Sequence, residues 1–278
     1  FDDHCLDIQK VFTRLKEHDL KVKPSKCQLF LEKIQFLGHV LSADGIEPIS
    51  ARIEAIMQID RPLTLTNLRS FVATCQYYRR YVKGFAEIAA PLYELTTKEK
   101  LPFKPWEIES KYEQAFRELK KAMASSEVLK LPDYTQPYFI SVDASQQGFG
   151  AILEQDFVYT RNGKEAKRRH PVYYASRRTT PREKKLESTH REDSAVVWAL
   201  HHYRYFVAGL PTTVYTDHGP LTWIMATEFE NTPLAKYAAR LQEWQANVTI
   251  KYKPGRIHAN ADGPSRLPVK MTVDVEDS

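Results

Sequence analysis

Residues 138–155 read YFISVDASQQGFGAILEQ, and this stretch decides the fold of the second half of the chain. A run of aromatic and apolar residues leads to Asp143, the turn-forming segment SQQG follows, and a second apolar run begins at Phe149. Short apolar runs of this composition, bounded by turn residues, are typical of β-strands. The stretch therefore predicts two successive strands, with Asp143 at the carboxyl end of the first.

Three further strands are predicted downstream, in HPVYYAS (170–176), TTVYTD (212–217) and VTIKYK (248–253). Helical patterns occupy residues 189–207 and 233–246. The resulting order, β-β-β-α-β-α-β, is not a simple alternation of strands and helices. It predicts a mixed sheet in which three strands are antiparallel and the others are added by helical crossovers.

The first half of the chain predicts helices around a strand pair. Apolar residues recur at helical spacing over residues 5–15, again from about Ser50, and over residues 112–123. Residues 27–48 are rich in β-forming residues and contain the turn signal Asp44-Gly45. The predicted class is thus α/β, with an α+β first half.

The opening Phe1-Asp2-Asp3 allows two interpretations. An aromatic residue before two aspartates resembles the metal-binding tip of a polymerase, whose pattern is Tyr-x-Asp-Asp. Acids are also favoured in the first turn of a helix, where they meet the positive end of its dipole. A polymerase tip needs a second strand after the aspartates, and the following residues have helical spacing instead, so we interpret the pair as the start of a helix.

Composition limits the classes of protein further. The 278 residues are 42% hydrophobic with a net charge of +5, which permits a packed core and a polyanionic partner. No run of about 18 apolar residues occurs, so no membrane span is predicted. The three widely spaced cysteines predict reduced thiols in an intracellular protein, cytoplasmic or nuclear. The absence of an initial methionine is interpreted as a cut inside a longer protein.

Four carboxylates stand at positions from which they can converge. Asp143 and Asp217 each end a predicted strand, Glu192 lies on the apolar face of the helix at 189–207, and Asp262 follows the last strand and a loop. Acids on a buried face are costly unless a cation compensates them. Since hard divalent cations prefer oxygen ligands, the pattern indicates a magnesium site.

Each acid also has an ordinary structural interpretation. The two strand-end aspartates can form turns, Glu192 can be a helix-start acid, and Asp262 can cap a helix or lie in a loop. Glu187 is a rival for the role of Glu192, and Asp193 is a further acid beside it.

Several motifs together resemble one family. VDAS, REDSAVVWAL, YTDH and NADGPSR, in this order, resemble the ribonuclease H domain of gypsy-type LTR retrotransposon Pol polyproteins. KVKPSKCQLFLEKIQFLGHVLSADGIEP is similar to the end of the reverse-transcriptase palm, and LRSFVATCQYYRRYVKGFAEIAAPLYEL is similar to the thumb. FDDHCLDIQKVFTRL resembles the helix just after the polymerase tip. The resemblance covers roughly residues 1–268.

The resemblance implies a domain division and a catalytic set. It implies a palm remnant at 1–49, a thumb-like region at 50–110, a connecting helix at 111–135, an RNase H-like domain at 136–268 with a mixed five-stranded sheet flanked by helices, and a tail at 269–278. Its carboxylates would be Asp143, Glu192, Asp217 and Asp262, holding two Mg²⁺ ions, with Mn²⁺ as the alternative. His258 would assist proton transfer or product release, and an ordinary loop histidine is the alternative. His218 is a second histidine near the acids.

The first-half motifs imply contacts with nucleic acid. FLGH resembles the primer-grip hairpin and QYYRR the thumb helix, which gives as expected contact residues Phe36, Leu37, Gly38, His39, Gln76, Tyr77, Arg79 and Arg80. Aromatic faces interleaved with arginines suit sugar and phosphate contacts without base reading. The alternative is that the tyrosines simply divide between core and surface.

We therefore expect a nuclease that cleaves RNA in RNA–DNA hybrids, within an RNA-directed DNA polymerase whose own aspartates precede this chain. The expected partners are the hybrid and the remaining fingers and palm, no membrane is expected, and a dimer is an open alternative. A non-catalytic nucleic-acid-binding module of a decayed or host-adopted element is the rival hypothesis. An integrase is disfavoured, because the helix glutamate here falls between the first two aspartates.

Overall fold

The computed structural model describes residues 2–99, 101, 106, 110–161, 164–223 and 233–254. The elements of the first half are α1 (Asp2–Glu17), β1 (Lys33–Phe36), β2 (His39–Ser42), β3 (Gly45–Pro48), α2 (Ser50–Gln58), α3 (Leu65–Tyr77), α4 (Phe85–Ile88), α5 (Ala90–Thr96) and α6 (Lys111–Ala124). Those of the second half are β4 (Tyr138–Ala144), β5 (Gly148–Arg161), β6 (Lys164–Arg178), α7 (Pro181–Lys184), α8 (Ser188–His202), α9 (Arg204–Val207), β7 (Thr212–Thr216), α10 (Pro233–Leu241) and β8 (Val248–Tyr252).

The second half is built on a mixed five-stranded sheet of order β6-β5-β4-β7-β8. Strands β4, β5 and β6 are antiparallel neighbours, whereas β7 runs parallel to β4 and β8 parallel to β7. This confirms the mixed sheet expected from the sequence. Strands β5 and β6 extend further than predicted and form a long hairpin.

Helix α8 packs against one face of this sheet through small side chains. Ala195 and Ala199 are fully buried in the same core as Tyr138 and Ile140 of β4. The helix predicted over residues 189–207 is interrupted, because α8 ends at His202 and Tyr203 caps it. The helical spacing of Ala195, Ala199, His202 and Phe206 predicts that His202 lies on the buried face of this helix, and that prediction was wrong. His202 is exposed, and Tyr203 is buried instead, with its hydroxyl donating to the carbonyl of Ala151 at 2.9 Å.

The first half has its own core, formed mainly by α2, α3, α5 and α6. Beside it lies an antiparallel meander of order β1-β2-β3, one strand more than the pair predicted. The Asp44-Gly45 turn signal was correct, since it joins β2 to β3. Gly45 has φ of +140°, and a Cβ there would lie 2.1 Å from the carbonyl oxygen of Leu129, so this close approach requires glycine.

The two cores are joined where α4 and the 3₁₀ turn Arg79–Tyr81 meet β6. Arg79 donates to the carbonyl of Ser176, and the Ser176 hydroxyl accepts from the backbone N–H of Ala86 at 2.9 Å. The guanidinium of Arg80 lies 4.5 Å from the ring centroid of Tyr173. Two arginines of the first half thus attach to an outer strand of the second-half sheet.

Helix α1 begins with Asp2 and Asp3 in its first turn, as the helix interpretation of the opening residues predicted. None of its residues is buried against the described part of the chain. In the described ranges, no helix has the length and apolar character needed to cross a bilayer.

Candidate functional site

Asp143 and Asp217 are brought to the same edge of the sheet by strand pairing. Strands β4 and β7 are parallel neighbours, with Ser141 opposite Tyr215, so their carboxyl ends lie side by side. Asp143 is the second-last residue of β4, and Asp217 directly follows β7. Both side chains are exposed and line one cleft of about 880 Å³. The carboxyl edge therefore presents two acids to solvent, as the sequence predicted.

Glu192 approaches these acids from helix α8. Its side chain is only 7% exposed, and its Oε2 atom is buried without a hydrogen-bond partner among the described residues. Burial, followed by the charges of Asp217 and Asp143, raises the pKa of Glu192 to about 8. A carboxylate held this way is destabilised unless a cation or a proton joins it.

The rival Glu187 lies elsewhere. It is exposed at the N-cap position of α8, without a side-chain capping bond. The described structure therefore brings Glu192, rather than Glu187, toward the two strand-end aspartates.

Asp193, the residue after Glu192, has a contact that the sequence did not predict. The resemblance implies that Asp193 adds negative charge near the metal ions, and its charge is among those that raise the pKa of Glu192. Its side chain is fully buried, with Oδ1 2.8 Å from Nδ1 of His218, the residue after Asp217. Burial raises the pKa of Asp193, and the neighbouring His218 opposes this shift. A contact between residues 25 positions apart has no local sequence signal.

The donor set suits a hard divalent cation. All three described acids offer oxygen ligands, and the partnerless Glu192 Oε2 is an atom that a cation would satisfy. Within the described residues, however, no three acidic, histidine or cysteine side chains converge closely enough to ligate one ion. Asp143 and Asp217 are both exposed at this edge of the sheet. The predicted Asp262 and His258 lie outside the described residues.

The cleft also contains a partly buried acid that sequence reasoning missed. Glu154 of β5 accepts a hydrogen bond from the Ser141 hydroxyl at 3.1 Å, and burial raises its pKa. Arg169, Lys253 and Lys83 lie near enough to oppose that shift. These cations give the cleft a basic wall beside the acidic edge.

The predicted primer-grip residues form an exposed hairpin. Phe36 and Leu37 are 56% and 72% exposed, and Leu37-Gly38 make the two-residue turn between β1 and β2. Both turn residues have positive φ, as type I′ hairpins require. A Cβ on Gly38 would meet the Tyr77 hydroxyl at 2.8 Å, which favours glycine further.

Tyrosines of the predicted thumb helix pack on this hairpin. The ring of Tyr77 stacks on His39 at 5.4 Å, and its hydroxyl donates to the carbonyl of Leu37. The Tyr81 hydroxyl lies 2.9 Å from Nδ1 of His39. Burial, together with nearby Arg80, lowers the pKa of His39. Tyr77 is half exposed while Tyr81 is buried, so the tyrosines divide between surface and core.

Three further predicted contact residues have partners inside the molecule. Gln76 accepts from the Tyr93 hydroxyl at 2.9 Å, and Arg79 and Arg80 contact β6 as described above. The side chains of Arg79 and Arg80 thus hold the two cores together, whereas the Gln76 contact lies within the first-half core. Their role toward nucleic acid stays a prediction.

A family model describing the RNase H-like domain found in reverse transcriptase matches residues 133–244, which contain four of the five strands of the sheet, β4 to β7, helix α8, and the acids Asp143, Glu192 and Asp217. These residues form an RNase H-like domain of the reverse-transcriptase type. Its start agrees with the beginning of the five-stranded sheet. The matched residues therefore carry the acidic edge together with Lys167 and Arg169 of the cleft, whereas Lys83 and Lys253 lie outside them.

The relatives of the whole chain are transposon polyproteins. This chain is 34% identical over 275 residues to the Pol polyprotein of transposon 412 and 30% identical over 273 residues to that of transposon gypsy, both from Drosophila melanogaster. The matches cover 99% and 95% of this chain, but only 21% and 25% of those relatives. The chain thus spans about a quarter or less of their length.

Solved structures share the fold. A foamy viral protease-reverse transcriptase in complex with double-stranded DNA superimposes with a TM-score of 0.70 at 23% identity, covering 91% of this chain and 43% of that one. The same viral protein in complex with an RNA/DNA hybrid gives 0.69 at 22% identity, covering 100% of this chain and 36% of that one. The fold similarity therefore extends through both cores and beyond the RNase H-like domain.

Proposed function

We propose that this chain hydrolyses the RNA strand of RNA–DNA hybrids, at a metal site built from Asp143, Glu192 and Asp217. The observation that carries the proposal is Glu192. It is a buried carboxylate whose Oε2 has no hydrogen-bond partner in the described structure, and the charges that act most strongly on it are those of two further acids, Asp217 and Asp143. Such an arrangement is unfavourable by itself and becomes favourable when a divalent cation binds.

The chain's own residues supply the geometry for this chemistry. Strand pairing fixes Asp143 beside Asp217, and the packing of α8 on β4 brings Glu192 near enough for their charges to raise its pKa. Two magnesium ions held there would activate a water molecule and stabilise the leaving 3′ oxygen. By resemblance, Asp262 would complete the ligand set and His258 would assist proton transfer or product release. Mn²⁺ is the alternative ion.

The cleft supports a polyanionic substrate. Lys83, Lys167, Arg169 and Lys253 line it together with Asp143 and Asp217. Basic groups of this kind contact phosphates without reading sequence, and the 2′-hydroxyl distinguishes RNA from DNA. The exposed Phe36 and Leu37, with Tyr77 behind them, provide apolar surface suited to the primer strand of the same duplex.

The experiment measures cleavage of a labelled RNA–DNA hybrid by the 278-residue chain in magnesium, compared with Asp143→Asn. We expect a loss of at least about 100-fold, because the variant removes a ligand charge from the site. Asp156→Asn is the matched control. Asp156 lines the same cleft, but it is paired with Arg169 at 3.0 Å, so its loss should leave cleavage within about threefold.

Equal cleavage by the unchanged chain and Asp143→Asn would contradict the proposal. Hybrid binding without any metal-dependent cleavage would favour a non-catalytic nucleic-acid-binding module instead.

A further inference from the structure

The Asp193–His218 pair joins the two chain segments that carry the proposed metal ligands. Asp193 follows Glu192 on helix α8, and His218 follows Asp217 after strand β7. The distance from Asp193 Oδ1 to His218 Nδ1 is 2.8 Å, so one hydrogen bond bridges the helix and the strand end. This contact directly neighbours both ligand carboxylates.

The surroundings make this bridge strong and well defined. Asp193 is fully buried and His218 is 9% exposed, so water competes little for their hydrogen bond. The backbone N–H of His218 also donates to the hydroxyl of buried Thr216 at 3.2 Å, which fixes the turn after β7. His190 lies on the other side of the carboxylate, with Nδ1 3.5 Å from Asp193 Oδ2.

The bridge opposes a repulsion that is inherent in the site. Before a cation binds, the carboxylates of Glu192, Asp143 and Asp217 repel one another, which favours separation of α8 from the end of β7. Helix α8 has other anchors, since the Ser194 hydroxyl lies 3.0 Å from the Tyr237 hydroxyl of α10. That contact holds the helix to α10, whereas the Asp193–His218 hydrogen bond joins α8 to the turn after β7, beside the apolar packing of α8 on the sheet.

We propose that Asp193 and His218 form a positioning pair that sets the separation of Glu192 and Asp217 and thereby the metal affinity of the site. The inference rests on the proposed function, because it assumes that these two acids bind the metal. Groups that orient metal ligands from behind typically contribute 10–100-fold to metal affinity. Neither residue of the pair needs to touch the ion.

The test is Mn²⁺ binding to the full chain without nucleic acid, followed by electron paramagnetic resonance. We expect Asp193→Ala and His218→Ala each to weaken Mn²⁺ binding by about tenfold or more. Asp193→Asn keeps an oxygen acceptor for the imidazole N–H, so it should restore affinity to within about threefold. The double variant should lose no more than the single variants, because both substitutions break one bridge.

His201→Gln is the matched control. His201 also faces a carboxylate, Glu243 at 3.7 Å, but this pair is exposed at the far end of α8 and is remote from the acids. Its loss should leave Mn²⁺ affinity unchanged. Unfolding curves of every variant accompany the binding data. If Asp193→Ala does not fold, the decision rests on His218→Ala and Asp193→Asn.

Three outcomes would overturn the inference. They are unchanged Mn²⁺ affinity in the folded alanine variants, independent additive losses in the double variant, and an equal loss in His201→Gln. The proposed function is tested separately, by the cleavage of an RNA–DNA hybrid. If Mn²⁺ binding depends on the pair in this way but the chain does not cleave the hybrid, the positioning role of the pair is supported and the proposed nuclease activity is contradicted.

Discussion

Each of the two cores contains a buried glutamate, and the main charged groups around these two glutamates have opposite signs. Glu113 lies in the first turn of α6 and is 2% exposed, and its Oε1 accepts from Arg61 at 2.9 Å and from Arg117 at 2.5 Å. Glu192 lies near the start of α8 and is 7% exposed, but the groups that act most strongly on it, after burial, are Asp217 and Asp143. Both helices place a glutamate on their buried face.

The difference teaches how to separate a structural acid from a functional one. A buried acid that is paired with basic side chains, as Glu113 is, stabilises the fold. A buried acid that is surrounded by other acids, as Glu192 is, needs a bound metal ion to balance its charge, and without that ion it lowers the stability of the protein. Removal of the charge should therefore have opposite effects in the two cores.

The largest expected effect is the loss of cleavage in Glu192→Gln. We expect hybrid cleavage in magnesium to fall by at least about 100-fold, because a metal ligand is lost. The metal-free variant should also be more stable than the unchanged chain, by on the order of 1 kcal/mol, since a neutral amide suffers no repulsion from Asp143 and Asp217. Initial cleavage rates and urea unfolding in a chelator measure the two effects. If Glu192→Gln is less stable than the unchanged chain and still cleaves at the full rate, Glu192 is a structural acid and not a metal ligand.

The matched substitution in the other core is Glu113→Gln. We expect it to lower the free energy of unfolding by about 1–3 kcal/mol, because Arg61 and Arg117 lose their carboxylate partner. Cleavage by the folded variant should remain within about threefold of the unchanged chain. If Glu113→Gln is as stable as the unchanged chain, the ion pairs of Glu113 do not stabilise the fold.

The pH dependence of metal-free stability provides a third test. The folded-state pKa of Glu192 is raised to about 8, so its contribution to stability is present in acid and is lost as pH rises from about 4.5 to about 8. The stability advantage of Glu192→Gln should therefore grow with pH across this window, as measured by urea unfolding in a chelator.

Glu183 is the control for that pH series. The guanidinium of Arg177 lowers the pKa of Glu183 to about 2, so its stabilisation is present above about pH 4.5 and is lost only as pH falls toward 2. The difference between the unchanged chain and Glu183→Gln should stay constant between about pH 5 and pH 8. A constant difference for Glu192→Gln as well would argue against the raised pKa.

The smallest expected effect concerns Arg80, whose guanidinium lies over the ring of Tyr173. Arg80→Met keeps the apolar stem and should cost about 0.5–1 kcal/mol of stability through the lost cation–π contact. Hybrid affinity should keep its dependence on salt concentration. A salt slope reduced by about one unit would instead assign Arg80 to a phosphate, as the sequence alone suggested.

Local sequence patterns predicted the elements and the two strand-end acids. Alternation, helical spacing and turn residues report on the near neighbours of each residue, and these were sufficient to place Asp143 and Asp217 at strand ends and Glu192 on a buried helix face. These local patterns did not predict contacts between residues that are far apart in the sequence. No local pattern pairs Asp193 with His218 or predicts that Arg79 and Arg80 contact β6, because these contacts depend on how separate elements pack.

The helix at residues 189–207 shows the same limit on a smaller scale. Its apolar spacing continues past His202, but Tyr203 turns inward to donate to the carbonyls of Ala151 and Tyr173, and α8 ends there. Hydrogen bonds to two strands override the helical pattern, and this competition is visible only in the folded chain.

The most direct test of the central claim is thermal unfolding of three proteins with and without saturating magnesium at neutral pH. The three are the unchanged chain, Glu113→Gln and Glu192→Gln. We predict that magnesium raises the Tm of the unchanged chain and of Glu113→Gln by the same amount, because both retain the acidic site, and leaves that of Glu192→Gln nearly unchanged. An equal magnesium-induced rise in all three would contradict the claim that Glu192 belongs to a cation site.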